Sequence, residues 1–148
     1  MLASHGFVCQ YRVDMAVHLS AEETMLVDTV RAFVERDVKP TVRDVEHANE
    51  YPAAWIDQMK QIGIFGLAVP GTPVSTRCYV LVTQELARGW MSLAGAMGGH
   101  TVVAKLLTLF GTEEQKQRYL PPMATGEIRA TMALTEPGGG SDLQAMTT

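Results

Sequence analysis

Between Thr135 and Asp142 the chain reads Thr-Glu-Pro-Gly-Gly-Gly-Ser-Asp, the one stretch whose residue types and spacing carry chemical content. Three successive glycines let the main chain come close to a ligand and turn its N–H groups toward one place, which suits an anion or a carbonyl edge. Thr135, Ser141 and Asp142 set two hydroxyls and a carboxylate around that place. The loop lacks the Gly-Lys-Ser/Thr ending of a P-loop and is not a Gly-x-Gly-x-x-Gly turn leading into a helix. Taken alone, such a stretch is more often just a turn, and the ligand stays open. Other residues point to packing. His100, after Gly98-Gly99, could line a ligand cavity or act on a substrate, but no carboxylate or second histidine sits at helical spacing from it, so a histidine satisfied within helix packing is favoured. Trp55 and Trp90 read as core or helix-end packing, and Met91, Met97 and Met123 as gap-filling side chains. Glu113, Glu114, Lys116 and Arg118 make a solvated helix face. Cysteine and histidine do not recur at short spacing, so no metal-ligand set is expected.

The elements that must position this loop are helical. Ser20-Ala-Glu-Glu23 is a capping box, a hydroxyl and a carboxylate each satisfying a free N–H at a helix start. Behind it Met25, Leu26, Val30, Phe33, Val34 and Val38 recur at three and four, one helical face, up to the break at Pro40. A second helix opens at Pro52 and runs through Trp55, Ile56 and Met59 to Gly63. The glycine- and proline-punctuated run 63–73 reads as a connection. Helical patterning returns over 74–88, with Tyr79, Val80, Val82 and Leu86 as the buried set, and again over 92–110, where Lys105 is the lone charge and burial on most sides is expected. Thr112-Glu-Glu-Gln115 is a second capping box, opening a short helix expected to end before Pro121-Pro122. Ile128, Ala130, Met132 and Leu134 then alternate with period two, which reads as a strand. The expected plan is mainly α: a helical domain over 19–125, then 126–148 as the start of a β-domain. A single strand and loop cannot make a stable sheet, so the chain reads as truncated.

The totals bound the rest. Twelve basic and sixteen acidic residues, net −4 and without a basic stripe, give no reason to expect nucleic acid or an acidic membrane surface as partner. The longest uncharged run, 89–104, holds four glycines and a histidine and is shorter than the ~20 residues of a spanning helix, so no membrane span is expected. Cys9 and Cys78 lie too far apart and too few for a disulfide framework, and read as reduced thiols of a cytoplasmic protein. Residues 1–14 have neither the apolar run nor the basic start of a signal peptide; translation is expected to start at Met15, and 1–18 to form a disordered extension.

The run Met132-Ala-Leu-Thr-Glu-Pro-Gly-Gly-Gly-Ser-Asp142 resembles the acyl-CoA dehydrogenase signature Ala-Leu-Thr-Glu-Pro-x-Ala-Gly-Ser-Asp. Phe110-Gly-Thr-Glu-Glu-Gln-Lys-Gln-Arg-Tyr-Leu-Pro121, Gln84-Glu-Leu-Ala-Arg88 and Leu19-Ser-Ala-Glu-Glu23 resemble segments that precede it in that family, so the resemblance covers 19–148 in order and spacing. It implies the amino-terminal helical domain of an FAD enzyme that oxidises an acyl-CoA thioester to the trans-2-enoyl-CoA. By the same resemblance Met132, Leu134, Thr135, Gly140 and Ser141 contact the flavin, Leu134 through its backbone and Thr135 and Ser141 through hydroxyls, with Ser141 also touching the acyl-CoA. It further implies an electron-transfer flavoprotein as oxidant and a homodimer or homotetramer for the complete enzyme. The glutamate base is expected downstream of Thr148, so the 148 residues alone are expected to be inactive. Two departures stand out: the connection Val69-Pro-Gly-Thr-Pro73 is several residues shorter than the family's, and Gly139 replaces the common alanine. The alternatives are a catalytically incompetent helical interaction module, and a family member with another fate for the flavin, such as an oxidase.

Overall fold

The computed structural model describes residues 18–72 and 74–148, and helices dominate it. The proposed start at Met15, and all but the last residue of the expected extension 1–18, lie outside the described residues. Helix α1, Ala21–Phe33, opens on the expected capping box: Ser20 Oγ accepts from Glu23 N at 3.1 Å, and Glu23 Oε2 accepts from Ser20 N at 3.0 Å. It continues into a π-helical turn, Val34–Val38, ahead of Pro40. The expected buried face holds for Val30, Phe33, Val34 and Val38, but Met25 faces solvent and Val27 takes the inward position. A short helix α2, Val42–His47, follows with no buried residue, which is why no periodic apolar signal announced it.

Helix α3, Ala53–Ile62, ends at Gly63, whose φ of +84° is the left-handed closing conformation that glycine adopts freely. The connection after it belongs to the core: Ile64–Ala68 form a 3-10 turn in which Ile64 and Phe65 are fully buried. Helix α4, Thr76–Gly89, starts at Ser75, whose hydroxyl accepts from Cys78 N at 3.2 Å. Cys78, Val82 and Leu86 form its buried stripe, at i, i+4 and i+8. Val80, expected inside, is 55% exposed, and Tyr79 is half-buried with its hydroxyl on Thr101 Oγ1 at 3.0 Å.

Helix α5, Met91–Phe110, is 20 residues long and by length and composition alone would reach across a membrane. Here it lays one face, Leu93, Ala94, Met97, His100 and Ala104, into the core. The expectation of burial on most sides fails, since Val102, Leu106, Leu109 and Phe110 turn outward and Phe110 is 78% exposed. Helix α6, Glu113–Ala124, has its capping box but runs through Pro121 and Pro122 instead of stopping before them. The carbonyls that lose amide donors to these prolines belong to Gln117 and Arg118, both exposed residues that water can serve.

The core gathers α1, α3, α4 and α5 around Phe33, Ile56, Met59, Phe65, Leu86 and Leu93. Glu23 joins two helices in it. It is only 8% exposed, and its Oε1 accepts from Ser75 N at 2.6 Å while Oε2 serves Ser20. Glu23 therefore caps α1 and α4 together, and the hydrogen bonds from Ser75 and then Ser20 hold its carboxyl below the usual carboxylate range. At the other end, a Cβ on Gly89 would stand 2.8 Å from Val34 Cγ1 and 3.3 Å from Val38 Cγ1. Trp90 then meets Trp55 edge to face at 5.7 Å and donates through its ring N–H to Glu46 at 3.3 Å, packing as expected of both tryptophans.

The strand expected over 128–134 does not form: among the described residues no strand ladder exists, and Ile128, Met132 and Leu134 are exposed. Alternation supplies two faces but not the neighbour that a strand must pair with.

Two outcomes follow. Gly89→Ala destabilises by about 1–2 kcal/mol in urea unfolding, since the two buried valines cannot turn aside and overpacking outweighs the gain in helix propensity. Glu23→Gln lowers the urea midpoint at pH 7. Because the folded carboxyl titrates below its unfolded value, this contribution is full above pH ~4.3 and fades as pH falls toward the lowered folded pKa. The difference between wild type and Glu23→Gln should therefore shrink at pH 3; an equal difference at both pH values would contradict the double-cap role.

Candidate functional site

The candidate segment leaves the helices at the end of α6. Gly126, at φ +75°, turns the chain, and a side chain there would meet the Phe65 ring at 2.7 Å and Lys60 Cγ at 2.9 Å, so only glycine fits. Ile128 N then donates to the Pro122 carbonyl at 3.1 Å, and Ala130 N donates to His100 Nδ1 at 3.4 Å. Between Ala130 and Glu136 no main-chain N–H finds a protein acceptor among the described residues. The next fixed point is a tight turn in which Glu136 N donates to the Gly139 carbonyl at 2.9 Å and Gly139 N to the Glu136 carbonyl at 3.1 Å.

The five sequence-predicted cofactor residues lie along this one open segment. Thr135 and Gly140 come together: a Cβ on Gly140 would stand 3.2 Å from Thr135 Oγ1. Met132, Leu134 and Ser141 are exposed and are not gathered around them. The hydroxyls of Thr135 and Ser141 and the N–H groups of Gly138, Gly140 and Ser141 find no protein acceptor among the described residues. At Gly138 and Gly139 an added Cβ would meet nothing within 4 Å, and neither has positive φ, so the protein's own packing does not require glycine there. Open space, unspent donors and the exposed apolar side chains of Met132 and Leu134 together fit a flat ligand with a polar edge. FAD has that character, and the residues present are compatible with it.

Glu136 anchors the loop from behind. Its carboxylate accepts from Thr147 N at 3.0 Å, Thr147 Oγ1 at 2.9 Å and Thr148 N at 2.9 Å, enclosing a recess with Gly138, Gly139, Asp142 and Met146. These hydrogen bonds, from Thr148 first and Thr147 next, pull its pKa down to about 2. Sequence reasoning treated Glu136 only as part of a motif; its partners lie eleven and twelve residues on, and no local pattern announces them.

His100 is packed, as expected of it, but also does something spacing did not show. It is 1% exposed, its ring meets Phe65 edge to face at 5.3 Å, and it holds Ala130. Burial above all, and the nearby charge of Arg129, push its pKa below the ordinary histidine value, against the pull of the Met123 and Phe65 carbonyls. Among the other tempting residues, Met97 and Met123 are core while Met91 is exposed. Cys78 is a free, buried thiol whose pKa is raised by burial and by the Glu23 charge; Cys9 lies outside the described residues. Among the described residues no cluster of histidine, cysteine and carboxylate side chains could hold a metal ion.

The acyl-CoA dehydrogenase N-terminal domain matches residues 20–127 of the chain. The chain belongs to the acyl-CoA dehydrogenase family. It is 36% identical over 124 residues to a 3-(aryl)acrylate reductase of Clostridium sporogenes, covering 80% of this chain and 33% of that protein. It is 33% identical over 138 residues to a subunit of the caffeyl-CoA reductase–Etf complex of Acetobacterium woodii, covering 89% of this chain and 36% of that protein. An acyl-CoA dehydrogenase from Bacillus anthracis, solved with FAD, superposes with a TM-score of 0.75 at 32% identity, over 86% of this chain and 23% of that one. The chain thus spans about a third of the length of these curated relatives.

The depressed pKa of Glu136 sets a testable limit. Its hold on residues 147–148 is full above pH ~4.3 and is lost only as pH falls through about 2. A side-chain carboxyl titration of Glu136 by NMR should show a midpoint near 2; a midpoint near the ordinary glutamate value would mean the hold does not exist in solution.

Proposed function

We propose that this chain is the amino-terminal part of an FAD-dependent enzyme that acts on the α,β carbon–carbon bond of an acyl-CoA thioester, with oxidation to the trans-2-enoyl-CoA as its direction. In that reaction the thioester loses its α-hydrogen as a proton to a base and its β-hydrogen as a hydride. Bound FAD supplies the two-electron acceptor. In this reading Met132 and Leu134 set apolar surface and main chain against the flavin, and Thr135, Gly140 and Ser141 give hydrogen bonds to its polar edge. Ser141 also meets the acyl-CoA. No residue of this chain is assigned as the base.

The observation that carries the reading is the open Met132–Ser141 segment with its unspent donors, in a chain of this family. Relatives named as reductases make the direction of the reaction the finer part of the proposal. An electron-transfer flavoprotein is the proposed electron acceptor, supported by the relative that works in an Etf complex. The proposal extends to a homodimer or homotetramer, with domain limits of 19–125 and 126–148 and a cytoplasmic setting. The second reading, a helical module that docks on a partner without catalysis, draws on the outward apolar side chains Val102, Leu106, Leu109 and Phe110.

The test is a chimera in which residues 19–148 replace the matching third of an active, FAD-bearing relative. The chimera should hold flavin through gel filtration and reduce dye when given acyl-CoA, and Thr135→Val with Ser141→Ala should release flavin about tenfold more readily, two hydrogen bonds being lost. The 148 residues alone should give no turnover. A folded chimera that is colourless, or acyl-CoA-dependent turnover by the 148 residues alone, would overturn the respective claim.

A further inference from the structure

We infer that Gly99 and His100 of α5 form a latch that positions Ala130 and Thr131, and through them the segment that begins at Met132. Its meaning for function rests on the reading of that segment as flavin-facing; the latch itself does not.

The two residues are adjacent on the helix and act on two adjacent residues of the extended chain. At Gly99 an added Cβ would stand 3.0 Å from Thr131 Oγ1 and 3.6 Å from Thr131 Cβ, so Thr131 lies close against the helix at this glycine, and a side chain there would push its hydroxyl back by a few tenths of an ångström. At His100 the ring nitrogen Nδ1 accepts from Ala130 N at 3.4 Å, across thirty residues of sequence. A nitrogen that accepts carries no proton, so the neutral ring bears its hydrogen on Nε2. Nε2 is buried and has no hydrogen-bond partner among the described residues; the Phe65 and Met123 carbonyls favour the protonated ring without reaching it in bonding geometry.

That imbalance argues for the role. An apolar side chain of similar volume would fill the same space beside Phe65 without burying an unpartnered N–H. What the imidazole adds is the acceptor at Nδ1. The position it serves is special, because Ala130 is the last main-chain group held by the helices before the free run from Thr131 to Thr135. Among the described residues no sheet neighbour pairs with 128–134, and the contacts that hold its start come from the helix surface. His100 is thus a positioning residue: it acts on the site through Ala130 and touches no reacting atom.

The test needs no flavin, so failure of the flavin assignment leaves it readable. In the 148-residue chain labelled with nitrogen-15, His100 should show the Nε2-protonated tautomer, and the Ala130 amide should be protected from hydrogen exchange. His100→Leu, which keeps volume and removes the acceptor, should speed Ala130 exchange by roughly tenfold, while His100→Asn, whose side-chain oxygen can stand near the Nδ1 position, should keep it within about twofold of wild type. Gly99→Ala should shift the Thr131 resonances. An Nδ1-protonated tautomer, or Ala130 exchange unchanged in His100→Leu, would overturn the latch. If His100→Leu does not fold, the tautomer in the wild-type chain decides.

Discussion

One carboxylate sets the frame of this domain. Glu23 gives one oxygen to the N–H of Ser20 and the other, across 52 residues of sequence, to the N–H of Ser75, so the starts of α1 and α4 share a cap. A negative charge there also meets the positive ends of two helix dipoles at once. Gly89 closes the same pair at its far end by letting the end of α4 approach Val34 and Val38. With α4 fixed on α1 at both ends, α5 has a defined surface to pack on, and the exit from α6 has a defined place beside α5. Outside, Arg31 of α1 pairs with Glu85 of α4, and Arg88 of α4 pairs with Glu85 and with Glu35 of the π-helical turn, though surface pairs of this kind add little individually.

Much of this was legible in the sequence, and the reason differs from element to element. Both capping boxes form as read, because a hydroxyl and a carboxylate or amide three residues apart satisfy local donors whatever lies beyond. The glycine at 63 stops α3 for an equally local reason. What failed depended on neighbours. Val80 lies two residues from buried Cys78 and Val82, and Met25 two from buried Val27, and which apolar residue of such a stretch turns inward depends on the partner helix. Pro121 and Pro122 stay helical because their lost hydrogen bonds fall on a solvated side. The segment 128–134 has the alternation of a strand but no pairing neighbour among the described residues.

The candidate site divides in the same way. Its residue types were readable because three successive glycines stand between Thr135 and Ser141, and the resemblance supplied the ligand. The supports were not readable. Glu136 reaches forward to residues 147 and 148, and His100 reaches across to Ala130; both contacts join residues that no periodicity relates. A histidine within a nearly charge-free apolar helix reads as packing, and burial hides the fact that one of its nitrogens is engaged with the chain that leads to the site.

Helix α5 has a kinetic consequence as well. Gly95, Gly98 and Gly99 fall within its first nine residues, each costing about 1 kcal/mol of helical preference relative to alanine. The first half of α5 is therefore a poor helix in isolation and takes its order from α4 and the core. During folding it must wait for contacts made across long stretches of chain, so it belongs to the late, cooperative part of assembly rather than to an early local nucleus. The surface that guides residues 130 and 131 comes into being only when the domain as a whole does.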